Sequence, residues 1–346
     1  MHLFCSPFIL LLAVSAALAA SELKIRLSGP EYIDHVMDLK VISTMINGGK
    51  KTLNILHDPR GLLSDLPADK FLITKVQNHQ PKFIGIKAKF VPTFAADSGA
   101  YTTLKPGQSI AVEHNLSIAY DFSTSGVGEY TFLTSGCLYV VDDSGEVSPF
   151  HAEVEHHVAK IGAKLMHPRR TGTVSERRPK FVGCSSSQES QIAFAIPTAV
   201  RYAKTAFNHL QTHKSGTPRY TTWFGEYDHE RHNTVLSHFK RLHDNGFSSF
   251  KYDCSCSNAE VFAYVYPDQF GTIHLCDGFW QAPTSGTDSK AGTLIHESLH
   301  FNLNGGTLDD AYGQEASEEL ANEDPNDAVF NADSHEYFAE NDPALN

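Results

Sequence analysis

The stretch Gly292 to Gly313, GTLIHESLHFNLNGGTLDDAYG, constrains this chain more than any other. His296, Glu297 and His300 form the pattern HExxH. Two histidines four apart on a helix project from one face about one turn apart. That geometry holds a Zn²⁺ by two imidazole nitrogens, with Glu297 beside the first ligand, able to take a proton from water at the metal. A helix is expected over Lys290 to Leu303, running into Asn304-Gly305-Gly306, where two glycines let the backbone break and turn. Catalytic zinc needs a third protein ligand and one open position. Folding back brings up Asp309, nine residues past His300, and its neighbour Asp310; spacing alone leaves the choice between them open. Tyr312 follows, its phenol near the metal if the turn is compact.

Gly306-Thr307-Leu308-Asp309-Asp310-Ala311-Tyr312-Gly313 matches GTxDxxYG at every fixed position. Together with HExxH it resembles the aspzincin metalloendopeptidases, which comprise deuterolysins and fungal peptidyl-Lys metalloendopeptidases. The resemblance implies one zinc held by His296, His300 and Asp309, Glu297 as general base, and Tyr312 as the donor to the tetrahedral oxyanion. It extends over Thr217 to Gly225, Phe262 to Pro267 and Gly286 to Leu294, and so covers essentially all of residues 181–346.

Residues 1–19 read as a secretory signal: Leu3 to Ala19 is an apolar run ending in Ala17-Leu18-Ala19, too short and too early for a mature span. A secreted, extracellular protein without a membrane anchor is expected. Cysteine placement agrees with an oxidising destination. Cys254 and Cys256 lie too close in sequence to bond each other without strain, so each pairs elsewhere, with Cys184 or Cys276. Two connectivities survive, and the family resemblance implies Cys184–Cys254 and Cys256–Cys276. Cys137, beside Leu138, Tyr139 and Val140, reads as a buried strand thiol.

Residues 20–180 read as a propeptide with a β-rich, sandwich-like domain. Alternating segments at Phe83 to Val91, Ser109 to Ile118 and Tyr130 to Val141 are separated by turn signals at Lys105-Pro106-Gly107 and Asp142-Asp143-Ser144-Gly145. The cluster His151, His156 and His157 falls on mixed strand faces and argues against a metal site there. Residues 167–180, HPRRTGTVSERRPK, form a basic linker with the paired arginines that processing proteases cut. Residues 181–346 read as a mainly helical α+β zincin-type catalytic domain. Its expected elements are helices over Ser187 to Thr212, bent or interrupted near Pro197, Asp228 to Asp244 and Gln314 to Asn322, with a small hairpin of Val261 to Tyr266 and Thr272 to Cys276. From Phe181 onward nine Lys and Arg stand against twenty-three Asp and Glu, so the overall charge of −12 belongs to this half. Such acidity argues against a nucleic-acid partner; it would draw cationic substrates or serve only as a solubilising surface.

Asn331-Ala332-Asp333-Ser334-His335-Glu336-Tyr337-Phe338 sets two acids three apart. Asp333 capping a helix, with Glu336 completing a capping box, is one reading; a pocket for an external cation is the other. The resemblance to peptidyl-Lys enzymes favours the pocket, with Asp333 and Glu336 binding the ammonium of the lysine that follows the scissile bond. His335, between them, is expected at the helix surface, pointing away from both. The expectation is thus a monomeric, secreted zinc endopeptidase made as a zymogen, whose partners are lysine-containing polypeptides and its own propeptide. The alternatives are a deuterolysin-like endopeptidase of broader preference and a non-catalytic zinc-binding protein.

Overall fold

The computed structural model describes residues 22–75, 80–164 and 179–345. The signal segment and both arginine pairs of the linker lie outside the described residues. Two compact units emerge, and they are not two consecutive halves. Of the described residues, the first takes 22–75, 80–85 and 92–164; the second takes Ile86–Val91 together with 179–345.

The first unit is β-rich. Leu23–Ser28 alternates buried and exposed residues, as a strand with one wet face must, and sends Leu23, Ile25 and Leu27 into the core. It lies between Glu153–Glu155 and Lys40–Asn47, and Ser109–Asn115 completes that sheet. A second four-stranded sheet runs Tyr32–His35, His157–Lys164, Gly128–Thr134, Phe71–Lys75. A third runs Val147–His151, Cys137–Val141, Leu53–Leu56, Tyr101–Leu104. The Asp142 turn forms as its sequence requires, with the Asp142 carboxylate accepting from the Ser144 and Glu146 amides. Cys137 opens a strand, but it is half-buried and disulfide-bonded rather than a free thiol.

Helices dominate the second unit. Ser186–Thr212 is one continuous helix started by a capping box at Ser185 and Gln188. Pro197 sits inside it without interrupting it; tertiary packing of Ile192, Ala195, Ala199, Ala203 and Ala206 on the core outweighs the lost hydrogen bond. His229–Asp244 is capped by Asp228. Lys290–His300 is buried along its whole length, and Ala332–Glu340 is buried on every side. The expected hairpin exists, Val261–Val265 against Thr272–Leu275, but as part of a five-stranded mixed sheet. Its order is Lys180–Val182, Lys251–Asp253, Thr272–Leu275, Val261–Val265, Lys87–Phe90.

The last strand corrects the sequence reading, which put Phe83 to Val91 in one strand of the N-terminal domain. Lys82–Phe83 stays in the first unit, paired with Tyr120–Asp121. Lys87–Phe90 instead pairs antiparallel with Val261–Val265. All four of its residues are buried, a pattern that alternation cannot assign to one sheet or another. Two disulfides, Cys184–Cys254 and Cys256–Cys276, tie the sheet to its flanks. Among the described residues no helix is long and apolar enough to cross a membrane.

Candidate active site

The helix carrying HExxH begins at Ser289, whose hydroxyl accepts from the Gly292 amide, and ends at His300, earlier than the expected Leu303. The reason lies in the carbonyls of its last turn. Asn304 Nδ2 donates to the Ser298 carbonyl, the Thr307 amide to that of Leu299, and the Gly305 and Gly306 amides to that of Phe301. Gly306 takes φ 64°, the left-handed conformation that lets the chain reverse. The reversed segment is then pinned to the C-terminal helix. Asn331 Oδ1 accepts from the Asp310 and Ala311 amides at 3.1 Å each, and the Leu308 amide donates to Phe330.

This reversal brings Asp309 to both histidines. A single oxygen, Asp309 Oδ1, lies 3.1 Å from His296 Nε2 and 3.1 Å from His300 Nε2. Two ligand atoms at ~2.0–2.1 Å from a tetrahedral zinc are separated by roughly 3.3 Å, so the trio has the spacing of a metal site. His300 Nδ1 lies 2.8 Å from the Thr307 carbonyl and donates to it, which leaves the Nε2 lone pair facing Asp309. His300 Nε2 is buried and lacks a hydrogen-bond partner. An orphaned buried nitrogen facing a carboxylate and a second imidazole fits a cation between them. Asp310 gives its amide to Asn331 and is in neither of the two metal-competent clusters among the described residues, of which His296, His300 and Asp309 form one.

The second cluster, His296, Asp333 and Glu336, already holds a cation. Lys89 Nζ lies 2.9 Å from Glu336 Oε2, 3.1 Å from Asp333 Oδ1 and 2.9 Å from Asp288 Oδ1. It also stands 5.0 Å above the centroid of the Tyr337 ring. The Lys89, Asp333 and Glu336 side chains are completely buried. Burial by itself would lower the Lys89 pKa, but the Asp288, Asp333 and Glu336 carboxylates outweigh it and hold the ammonium well above its ordinary pKa. The capping reading of Asp333 is overturned. Asn331 is the N-cap of Ala332–Glu340 and makes no side-chain cap bond, while Asp333 Oδ2 accepts from the Gly313 amide at 2.7 Å. His296 Nδ1 sits 2.8 Å from Asp333 Oδ1, so the same carboxylate stands behind the first histidine.

Main-chain atoms around Lys89 meet the remaining site residues. Its amide donates to Glu297 Oε1 at 2.7 Å. The Ala88 carbonyl accepts from Tyr312 Oη at 2.8 Å, and the Ala88 amide donates to Asp309 Oδ2 at 3.2 Å. Burial raises the Glu297 carboxyl to about 8, with the His296 ring opposing and the Asp309 charge adding to the rise.

Four site residues carried no sequence signal strong enough to find them. Asp288 and Tyr337 complete the walls around the ammonium, and Tyr337 Oη donates to Asp288 at 2.8 Å. Glu340 lies behind Glu336 and accepts from Ser289 Oγ at 2.7 Å; burial first, then the Glu336 charge, keeps its carboxyl well above the usual range. Lys89 is one lysine among several in its stretch. His335 does face away from the acids, yet it is fully buried, between Phe224 and Phe239, with Nε2 3.1 Å from His238 Nδ1. A helix with no exposed face has no surface for it to occupy. Of the histidines at 151, 156 and 157, none belongs to a metal-competent group among the described residues.

The profile of the family described as "Lysine-specific metallo-endopeptidase" matches residues 209–340. The chain is 47% identical over 347 aligned residues to a peptidyl-Lys metalloendopeptidase of Grifola frondosa, covering 99% of each chain. It is 42% identical to one of Armillaria mellea, covering 97% of this chain and 96% of that one. A solved zinc peptidase from Grifola frondosa is 57% identical and is covered completely by 47% of this chain, with a TM-score of 0.47. With the HExxH helix and the GTxDxxYG loop folded onto one another and this likeness spanning the full chain, the protein belongs to the aspzincin metalloendopeptidases and is a zinc metalloendopeptidase.

Proposed function

We propose that the protein is a secreted endopeptidase, made as a zymogen, that hydrolyses Xaa-Lys bonds on the amino side of lysine. The observation that carries this reading is the buried ammonium of Lys89 between Asp333 and Glu336, with its own amide on Glu297. A pocket that already accommodates one lysine side chain at that distance from Glu297 suits the lysine after a scissile bond. The names of the relatives above point the same way.

In this proposal His296, His300 and Asp309 hold the zinc, which when bound supplies Lewis-acid polarisation of the carbonyl and of water. Glu297 takes the proton of the attacking water and returns it to the departing amine. Tyr312 donates to the carbonyl oxygen as negative charge gathers there. Asp333 and Glu336 fix the lysine and thereby the register of the bond to be cut. Asp333 also stands behind His296, which couples the pocket to the metal site. The compact ammonium fits between carboxylates 2.9–3.1 Å away; the wider planar guanidinium of arginine does not share that shape.

The test is a cut map. A denatured protein is digested with and without a zinc chelator and every fragment is identified by mass spectrometry. Chelator-sensitive fragments beginning with lysine are expected. Chelator-sensitive cuts scattered over many residue types would leave the metalloendopeptidase and remove the lysine pocket.

A further inference from the structure

The segment Ile86–Val91 lies in the sequence of the β-rich unit and folds as part of the catalytic one. Its strand adds to Val261–Val265 in antiparallel register, Ala88 opposite Tyr264 and Lys89 level with Ala263. Strand addition is a standard way for a protein to bind an extended peptide, with main-chain bonds giving affinity and side-chain pockets giving register. Here the register is set by Lys89, whose side chain fills the acidic pocket.

That register places one peptide bond, Ala88–Lys89, at the chemistry. Hydrolysis changes charge at two atoms of a peptide bond, the carbonyl oxygen and the leaving nitrogen. The Ala88 oxygen meets Tyr312 Oη at 2.8 Å, and the Lys89 nitrogen meets Glu297 Oε1 at 2.7 Å. Each atom faces the group that acts on it in the proposed function. Phe90 packs edge-on against Tyr312, with centroids 5.5 Å apart, and holds the strand beyond the bond. A mere plug needs none of this alignment; any buried side chain over the metal site would block it.

We infer that Ala88–Lys89 is an internal substrate, bound as a lysine peptide is bound and hydrolysed by the chain's own site. This rests on the Xaa-Lys reading of that site. Water adds to the Ala88 carbonyl carbon, the bond from that carbon to the Lys89 nitrogen breaks, and the proton taken up by Glu297 passes to the nitrogen. The products are a carboxylate at Ala88 and a free α-amine at Lys89, with no oxidant or other co-reactant. Until the bond is cut, Lys89 keeps the pocket closed to other lysines.

Two measurements on the full chain test this. In the E297Q chain, which holds the bond intact, amine acylation of Lys89 is expected at least about tenfold slower than that of the exposed Lys105, because reaction requires local opening; equal labelling overturns the inference. In the zinc-loaded wild-type chain, mass spectrometry is expected to find new termini at Ala88 and Lys89, formed with a first-order rate constant independent of protein concentration. An apparent rate constant that rises with protein concentration, a cut at Ile86–Lys87 instead, or an intact bond overturns it. The K89A chain, assayed on added Xaa-Lys peptides, separates the two readings. If it cuts them before lysine while the wild-type bond stays whole, self-cleavage fails and the lysine specificity stands. If it cuts at other residues, the specificity reading itself falls.

Discussion

Lys89 Nζ and Glu336 Oε2 lie 2.9 Å apart with no part of either side chain exposed to solvent. Removing either partner of a buried ion pair is costly, because the survivor is left charged and unsolvated. In a lysine-binding pocket the same applies to a substrate ammonium. Glu336→Gln is expected to lower kcat/KM for Xaa-Lys peptides by about 2 kcal/mol or more, roughly 30-fold. Steady-state kinetics on one peptide with lysine and its norleucine counterpart check it: the variant loses the preference, and an unchanged lysine-to-norleucine ratio refutes the pocket.

Gly292 lets two helices touch. A Cβ there would collide with the Glu340 carboxylate and press on that of Glu336. Gly292→Ala forces the buried Glu340 and Glu336 carboxylates to move at an expected cost of about 1–3 kcal/mol, and so shifts Glu336 within the pocket. Thermal denaturation and KM for lysine peptides both respond; a variant with wild-type melting and KM would show that the approach is not tight in solution.

The metal site separates by residue. His300→Ala and Asp309→Ala each remove one donor of the buried trio and are expected to lose zinc, measured as metal per chain after gel filtration. Glu297→Gln keeps the donors and is expected to retain one zinc while turnover falls by roughly 10²–10⁴-fold, the range for losing a general base. Full zinc in Asp309→Ala would return the third ligand to the choice between Asp309 and Asp310.

His114 in the β-rich unit gives a pH dependence independent of the metal. Burial, then the nearby Lys70 ammonium, lowers its pKa from 6.5 to about 4, and its Nε2 lies 2.8 Å from Ser43 Oγ. Between those pH values the unfolded chain binds the proton and the folded unit does not. Its stabilising contribution is therefore complete above pH 6.5 and is lost as the pH falls toward 4. Hydrogen exchange of the Ser109–Asn115 amides at pH 7 and 4.5 reads this out. In His114→Gln the acid-side loss is expected to be shallower, and an unaltered pH slope would sink the assignment.

The two disulfides of the second unit differ in the loop each closes, 70 residues for Cys184–Cys254 and 20 for Cys256–Cys276. Loop-closure entropy puts their contributions at about 4 and about 3 kcal/mol. Replacing both cysteines of a pair by serine and measuring denaturant midpoints is expected to hurt more for the first pair. The reverse order would mean that native packing outweighs chain entropy here.

Local chemistry made much of this protein legible in its linear order. HExxH needs only helical spacing, so its helix and two histidines could be read from one 22-residue window, while Asp309 rather than its neighbour Asp310 was implied by the family resemblance of GTxDxxYG. The helices over Ser186–Thr212 and His229–Asp244 announced themselves by caps and period. What no local pattern contains is where a strand finds its sheet. Lys87–Phe90 is a short run buried on both faces, and its partner Val261–Val265 lies far along the chain. The same holds for burial of the C-terminal helix, which turned Asp333 from a plausible cap into a pocket wall and His335 from a surface residue into a core one. Spacing along the chain fixes which side chains share a helix face. Which distant charge meets them depends on pairing and packing across the fold, and only there do the Lys89 ammonium and the two acids meet.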